Sequence, residues 1–318
     1  MTRIGASIAA SAAILLYKGV ALAHPAPGPM PPALTGAASR SALARACKGH
    51  EGWAVAAPAA QISANTWYVG TCGITALLVT TRAGLVLIDS GVREAAPLVL
   101  ANIRALGFDP RAVRWMLSSH EHFDHVGAHG AMQKATGARV AVLASAVAVM
   151  ESGKSAASDP QNGTLEDFAP VHVDRALADG ESVKLGGIAF TIHATPAHTA
   201  GSASWTWPAC SPARSASPRA CVTMTYADSA TAFGAKGYRF ADHPDRIAAV
   251  RRGHARMAAL PCGLLVTPHP GASNLFARFA GTAPLIDSKA CTRYAQDAKS
   301  RFDARLAQET PSTPKEPQ

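Results

Sequence analysis

Apolar positions in this chain switch between short continuous runs and helical spacing. Leu85-Val86-Leu87-Ile88 is an unbroken apolar run that stops at Asp89-Ser90-Gly91, which predicts a short strand buried on both faces. Residues 66–69, 74–80, 113–117, 140–143, 188–193, 204–207, 222–226 and 264–267 read as further strands. Residues 94–106 carry an amphipathic pattern stopped by Gly107, and 130–136, 247–260 and 291–307 also read as helices. Strands and helices interleaved in this way predict sheets covered by helices in one layered α/β domain. No internal repeat interrupts the pattern.

The two ends lack it. Residues 1–23 combine a basic head at Arg3, an apolar middle and Ala21-Leu22-Ala23, the signature of a signal peptide cleaved before His24. The uncharged stretch between Arg3 and Lys18 is shorter than the ~20 residues that a membrane-spanning helix requires. The expectation is export to the periplasm or beyond, with no membrane attachment after cleavage. Residues 24–46 are rich in Ala, Pro and Gly and read as a flexible lead-in. The domain is expected over 47–309, followed by a disordered tail over 310–318.

Hydrophobic residues make up 48% of the 318 positions and charged residues 16%, which suits a globular chain with a sizeable core. Loss of Arg3 and Lys18 with the leader takes the formal charge from +9 to +7. The remaining Lys and Arg are scattered, without a basic stripe interleaved with aromatics, so nucleic acid is not an expected partner. Six cysteines, Cys47, Cys72, Cys210, Cys221, Cys262 and Cys291, fit an oxidising compartment. No C-x-x-C pair occurs. Six cysteines admit 15 pairings, and spacing alone does not choose among them; sequential pairing is the simplest.

The chemistry concentrates after the 113–117 strand, in Ser119-His120-Glu121-His122-Phe123-Asp124-His125-Val126-Gly127. Alternate residues of an extended stretch point the same way, so His120 and His122 can address one metal ion. A turn into a helix would swing Asp124 and His125 toward a second. Imidazole and carboxylate are the ligands of hydrolytic zinc sites. Two later histidines stand at strand ends bracketed by Pro and Gly: His198 in Thr195-Pro196-Ala197-His198-Thr199-Ala200-Gly201, and His269 in Thr267-Pro268-His269-Pro270-Gly271. Such loops on a rigid scaffold commonly carry function. His129 reads as a supporting or solvated residue, His193 as a core or edge residue. His24, His50, His172, His243 and His254 have no ligand-like neighbours.

The H-x-H-x-D-H element with His198 and His269 resembles the metal signature of the metallo-β-lactamase superfamily, over roughly residues 47–307. Asn65 to Thr71, His198-Thr199-x-Gly201-Ser202 leading into Ser204-Trp205-Thr206-Trp207, Tyr226-Ala227-Asp228-Ser229 and Thr267-Pro268-His269-Pro270 resemble subclass B3 zinc β-lactamases with three disulfides. The resemblance implies a four-layer αβ/βα sandwich and a monomer. It implies two zinc ions per chain, one on His120, His122 and His198 and one on Asp124, His125 and His269. It also implies the disulfides Cys47–Cys72, Cys210–Cys221 and Cys262–Cys291. The implied activity is hydrolysis of the β-lactam amide of penicillins, cephalosporins and carbapenems by a zinc-activated hydroxide, conferring antibiotic resistance. In it His120, His122, His198 and Asp124 are catalytic, and Ser229 and Thr231 meet the substrate carboxylate. Ala197 and Ala200 depart from the Gly and Pro common in the family on either side of His198. The alternative is a thioesterase of the glyoxalase II type or a lactonase on the same fold, with Asp228 bridging the metals. A serine mechanism lacks a G-x-S-x-G elbow.

Overall fold

The apolar runs become the central strands of two sheets in a computed structural model that describes residues 35–210 and 221–309. The expected leader 1–23 and tail 310–318 lie outside the described residues. The first sheet holds seven strands in sequence order: β1 (Ala60–Ser63), β2 (Thr66–Tyr68), β3 (Leu77–Thr81), β4 (Gly84–Ile88), β5 (Val113–Leu117), β6 (Arg139–Leu143) and β7 (Arg175–Leu177). Pairing is antiparallel from β1 to β4 and parallel from β4 to β7. The second sheet runs β12 (Leu264–Val266), β11 (Cys221–Tyr226), β10 (Ala203–Cys210), β9 (Ile188–Ala194) and β8 (Ser182–Leu185), with only the β11–β12 pair parallel.

Alternation along the strands explains the layers. In β3 and β4, Leu77, Val79, Val86 and Ile88 face the second sheet and join Phe190, Trp205, Trp207 and Tyr226 in one core. Leu78, Leu85 and Leu87 point the other way, against Val99 and Ile103 of α2 (Ala96–Ala105) and Met132 of α4 (His129–Thr136). Strands apolar on both faces are what a sheet covered on both sides requires. The outer face of the second sheet packs Leu265 against Met257 of α6 (Pro244–Ala258) and Ala295 and Ala298 of α8 (Ala290–Glu309). The result is the expected four-layer αβ/βα sandwich. The remaining helices are α1 (Gly36–Ala46), α3 (Phe123–Val126), α5 (Val147–Ser152) and α7 (Leu275–Phe279).

Two expectations need correction. The last eleven residues of the segment expected to be flexible, 24–46, form α1. Leu43 and Ala44 bury into the inter-sheet core, Arg40 reaches the Gln61 carbonyl, and the Cys47–Cys72 disulfide follows directly. The Ala-rich composition conceals this because small residues bury without a strong periodic signal. The strand expected over 74–80 begins only at Leu77, because 71–74 closes a turn (Thr71 N–H to the Ile74 carbonyl, 2.9 Å) and Thr75 N–H donates to the Pro268 carbonyl at 2.8 Å. Cys210–Cys221 and Cys262–Cys291 also form, so all three implied disulfides are present.

Candidate metal centre

The loops that follow β4, β5, β9, β11 and β12 converge at one edge of the sandwich. Beneath them Asp89 sits fully buried in a left-handed conformation (φ 56°), a backbone state rare outside glycine and held here by its surroundings. Its carboxylate accepts from Ser119 N–H (2.7 Å), Ser119 Oγ (2.6 Å) and the Tyr226 hydroxyl (2.7 Å), tying together the ends of β4, β5 and β11. His129 is not solvated: it is fully buried with Nδ1 2.7 Å from Ser90 Oγ.

On this base one ligand atom from each of His120, His122 and His198 lies within 4.8 Å of the others, and the same holds for His120, Asp124 and His125. His269 joins the second group, with Nε2 3.2 Å from Asp124 Oδ2 and 3.3 Å from His125 Nε2. Residues 198 and 269, far apart in sequence from the motif, are thus brought to it. The placement arises because Phe123 starts α3 directly after His122, so Asp124 and His125 leave the extended direction of His120 and His122.

Each imidazole of the first group has one nitrogen committed elsewhere. His120 Nδ1 is 2.7 Å from Asp228 Oδ1, His122 Nε2 is 2.9 Å from Asp159 Oδ2, and His198 Nδ1 donates to the Thr231 carbonyl at 2.6 Å. Hydrogen bonds of this kind set the tautomer and aim the other nitrogen at a metal. His120 Nε2 is buried with no hydrogen-bond partner among the described residues, which leaves a desolvated lone pair facing the cluster. Burial, then the imidazoles of His125 and His198, hold His120 well below the ordinary histidine range; burial and His122 lower His198 to about 3. Both therefore stay neutral, with a lone pair available to a metal. Burial also disfavours charge on His125, but Asp124 and Asp89 overcome it and raise His125 to about 10. That half of the cluster favours positive charge. Imidazole nitrogens and a carboxylate gathered in this way are the donors of a divalent-cation site.

Ser229 is buried beside Asp228, and Thr231 is half-buried. Asp228, the carboxylate that the thioesterase-like alternative would place between two ions, meets His120 Nδ1 with Oδ1, while its Oδ2 is buried with no hydrogen-bond partner among the described residues. Several residues at the site carried no sequence signal: Asp159 and Gln161, whose Nε2 is 3.5 Å from His198 Nε2, come from the loop between α5 and β7. Asp89 was signalled only by a strand ending in Asp-Ser-Gly. Two exposed aromatics also flank the cluster, Trp53 (42% exposed) 5.9 Å from the His269 ring and Phe233 (57% exposed) 6.3 Å from the His198 ring.

Comparison with known proteins agrees with this geometry. The metallo-β-lactamase superfamily profile matches residues 69–211. The metallo-β-lactamase MIM-1 from Novosphingobium pentaromativorans is 59% identical with a TM-score of 0.81, the alignment covering 85% of this chain and 98% of that one. MEM-A1, a subclass B3 metallo-β-lactamase isolated from a soil metagenome library, is 39% identical with a TM-score of 0.75, covering 81% of this chain and 98% of its own. A hydroxyacylglutathione hydrolase of Anaeromyxobacter dehalogenans is 33% identical over 38% of this chain, and the chain spans only 37% of that relative's length. The chain belongs to the metallo-β-lactamase superfamily and groups with its subclass B3 β-lactamases.

Proposed function

We propose that this protein hydrolyses the amide bond of β-lactam antibiotics at a two-zinc centre, held by His120, His122 and His198 on one side and by Asp124, His125 and His269 on the other. The reading rests above all on the convergence of these six side chains, with the outer nitrogens of His120, His122 and His198 already engaged by Asp228, Asp159 and Thr231. Zinc in such a site supplies, when bound, a water acidic enough to attack near neutral pH and a Lewis acid for the carbonyl. Asp124, the only carboxylate among the six, orients the attacking water. The Ser229 and Thr231 hydroxyls receive the substrate carboxylate, and Trp53 and Phe233 flank its apolar substituents. Turnover in this way confers resistance on the producing cell.

The three disulfides suit an oxidising compartment. Among the described residues no helix is long and apolar enough to cross a membrane. The mature chain is assigned to the periplasm or the exterior, as a monomer; cell fractionation and size-exclusion chromatography check both.

Turnover of a chromogenic cephalosporin beside a thioester and a lactone, before and after exhaustive chelation, tests the reading. The cephalosporin should be the preferred substrate, with activity lost on chelation and restored by zinc. Preference for the thioester would replace the substrate assignment, and full activity after confirmed metal loss would sink the metal centre.

A further inference from the structure

Loop 195–201, which carries His198, has no regular structure: within it Ala197 N–H donates to the Thr195 carbonyl at 2.6 Å, and its ends are tied to Ser202, where Thr195 N–H donates to the carbonyl at 2.9 Å and Thr199 N–H to Oγ at 2.9 Å. Three consecutive carbonyls on one side of it, those of Pro196, Ala197 and His198, receive hydrogen bonds from a single guanidinium. Arg246, in the first turn of α6, donates Nη1–H to Pro196 (2.9 Å) and Nη2–H to Ala197 (2.8 Å) and His198 (2.7 Å). On the other side, Glu121 Oε2 accepts from the Thr199 hydroxyl (2.8 Å) and Oε1 from Gly201 N–H (3.0 Å).

We infer that Arg246 and Glu121 clamp the backbone of this loop between them and thereby set the position of His198, acting as positioning residues of the metal centre without touching a metal. The inference rests on the two-metal reading above. Glu121 stands between His120 and His122, so its carboxylate fixes the third imidazole of the first group relative to the first two. It is 5% exposed, and a carboxylate is costly to bury unless fully partnered. Space on both sides of the loop is already filled. A Cβ added at Gly201 would collide with the Glu121 carboxylate, and one added at Gly253 of α6 would collide with the backbone of Ala197. Burial opposes the charged form of the Arg246 guanidinium, and the carboxylates of Asp159, which holds His122, and of Glu121 both favour it. Arginine suits the task because its planar fork presents several donors in fixed directions, which an ammonium cannot do.

Zinc affinity by chelator competition, and the visible spectrum of the cobalt-substituted protein, test this in Arg246→Met, Arg246→Lys and Glu121→Gln. Outer residues that orient a metal ligand typically cost 10–100-fold in affinity when removed. Arg246→Met and Glu121→Gln should therefore bind the first zinc about 10–100-fold more weakly, with altered cobalt bands, and Arg246→Lys should fall between them and wild type. Arg256→Met is the control: it lies on the same helix but bonds Asp179 at the surface (2.7 and 2.8 Å), and should match wild type. Folded Arg246→Met and Glu121→Gln proteins with wild-type affinity and spectrum would overturn the clamp, even with a lowered apo melting temperature. If Arg246→Met fails to fold, Arg246→Lys and Glu121→Gln decide by the same criterion. A wild-type protein that takes up no zinc would overturn the two-metal reading and this inference with it, whereas wild-type uptake with unaffected variants overturns the clamp alone.

Discussion

Asp228 Oδ1 lies 2.7 Å from His120 Nδ1, and both side chains are fully buried. In the proposed two-zinc centre Asp228 stands behind the imidazole, sets its tautomer and leaves Nε2 for a metal. Asp228→Ala should lower zinc affinity about 10–100-fold, and Asp228→Asn, which retains an acceptor oxygen, should lower it less. Metal content after graded chelation measures both. Loss of both metals in Asp228→Asn, together with full metal content in Asp124→Ala, would make Asp228 the bridging ligand and favour the thioesterase reading.

Asp124 and Ser229 should fail in different ways. Asp124→Ala removes a carboxylate 3.0 Å from His125 and 3.2 Å from His269. One zinc should be lost and kcat should fall by at least ~10²-fold, the order seen when a positioned proton-handling group is removed. Ser229→Ala removes a neutral hydroxyl, worth roughly 1.5–3 kcal/mol against a carboxylate. That loss should raise KM with zinc content unchanged, because the contact exists before and during ring opening. Steady-state kinetics paired with elemental analysis separates the two phenotypes; a Ser229→Ala protein depleted of zinc would contradict the assignment.

Acid should destabilise the metal-free protein partly through His129. Burial lowers this residue from its ordinary 6.5 to about 4. Below 6.5 the unfolded chain takes up a proton there that the folded chain refuses until about 4, so stability falls as pH falls through that window. Between about pH 7 and about pH 4.5 the contribution is roughly 2–3 kcal/mol. His129→Gln should be less stable near neutrality yet lose less on acidification. Urea midpoints of both proteins across this range give the comparison, and parallel decline would refute it.

The Cys262–Cys291 disulfide ties the entry of β12 to α8, whose Tyr294 hydroxyl donates to the Asp228 carbonyl (3.1 Å) and accepts from Ala230 N–H (3.0 Å). Replacing both cysteines with serine should cost about 2–5 kcal/mol of stability. It should also loosen the strand end that holds His120 and His198, so zinc should leave at lower chelator concentration. Unchanged chelator sensitivity in the destabilised variant would confine the disulfide to a stability role. Thiol titration of the denatured wild type should find no free cysteine.

Four of the six proposed ligands were legible because they lie within six residues of sequence, where strand and helix periodicity alone fix their directions. His198 and His269 were legible from Pro and Gly around a strand end. The central strands were legible because burial on both faces writes an unbroken apolar run. β1, β7 and β8 were not, being short and only half-buried with a weak pattern, and α1 was hidden by alanine.

Sequence by itself determined the donor types, a layered α/β domain and the even cysteine count, since these follow from local periodicity and from the chemistry of the side chains; the four-layer sandwich came from the family resemblance. Only the tertiary structure decided which nitrogen of His120, His122 and His198 is engaged from outside the cluster, and that Asp228 is the partner of His120. It also decided that Asp159 meets His122, that the Thr231 carbonyl meets His198, and that Arg246 and Glu121 bond the loop that carries His198. These contacts join residues up to 125 positions apart (Glu121 and Arg246) and involve ordinary backbone carbonyls or single carboxylates. No local pattern marks such a partner; it is selected by the packing of α6, α8 and the loops against the strand ends.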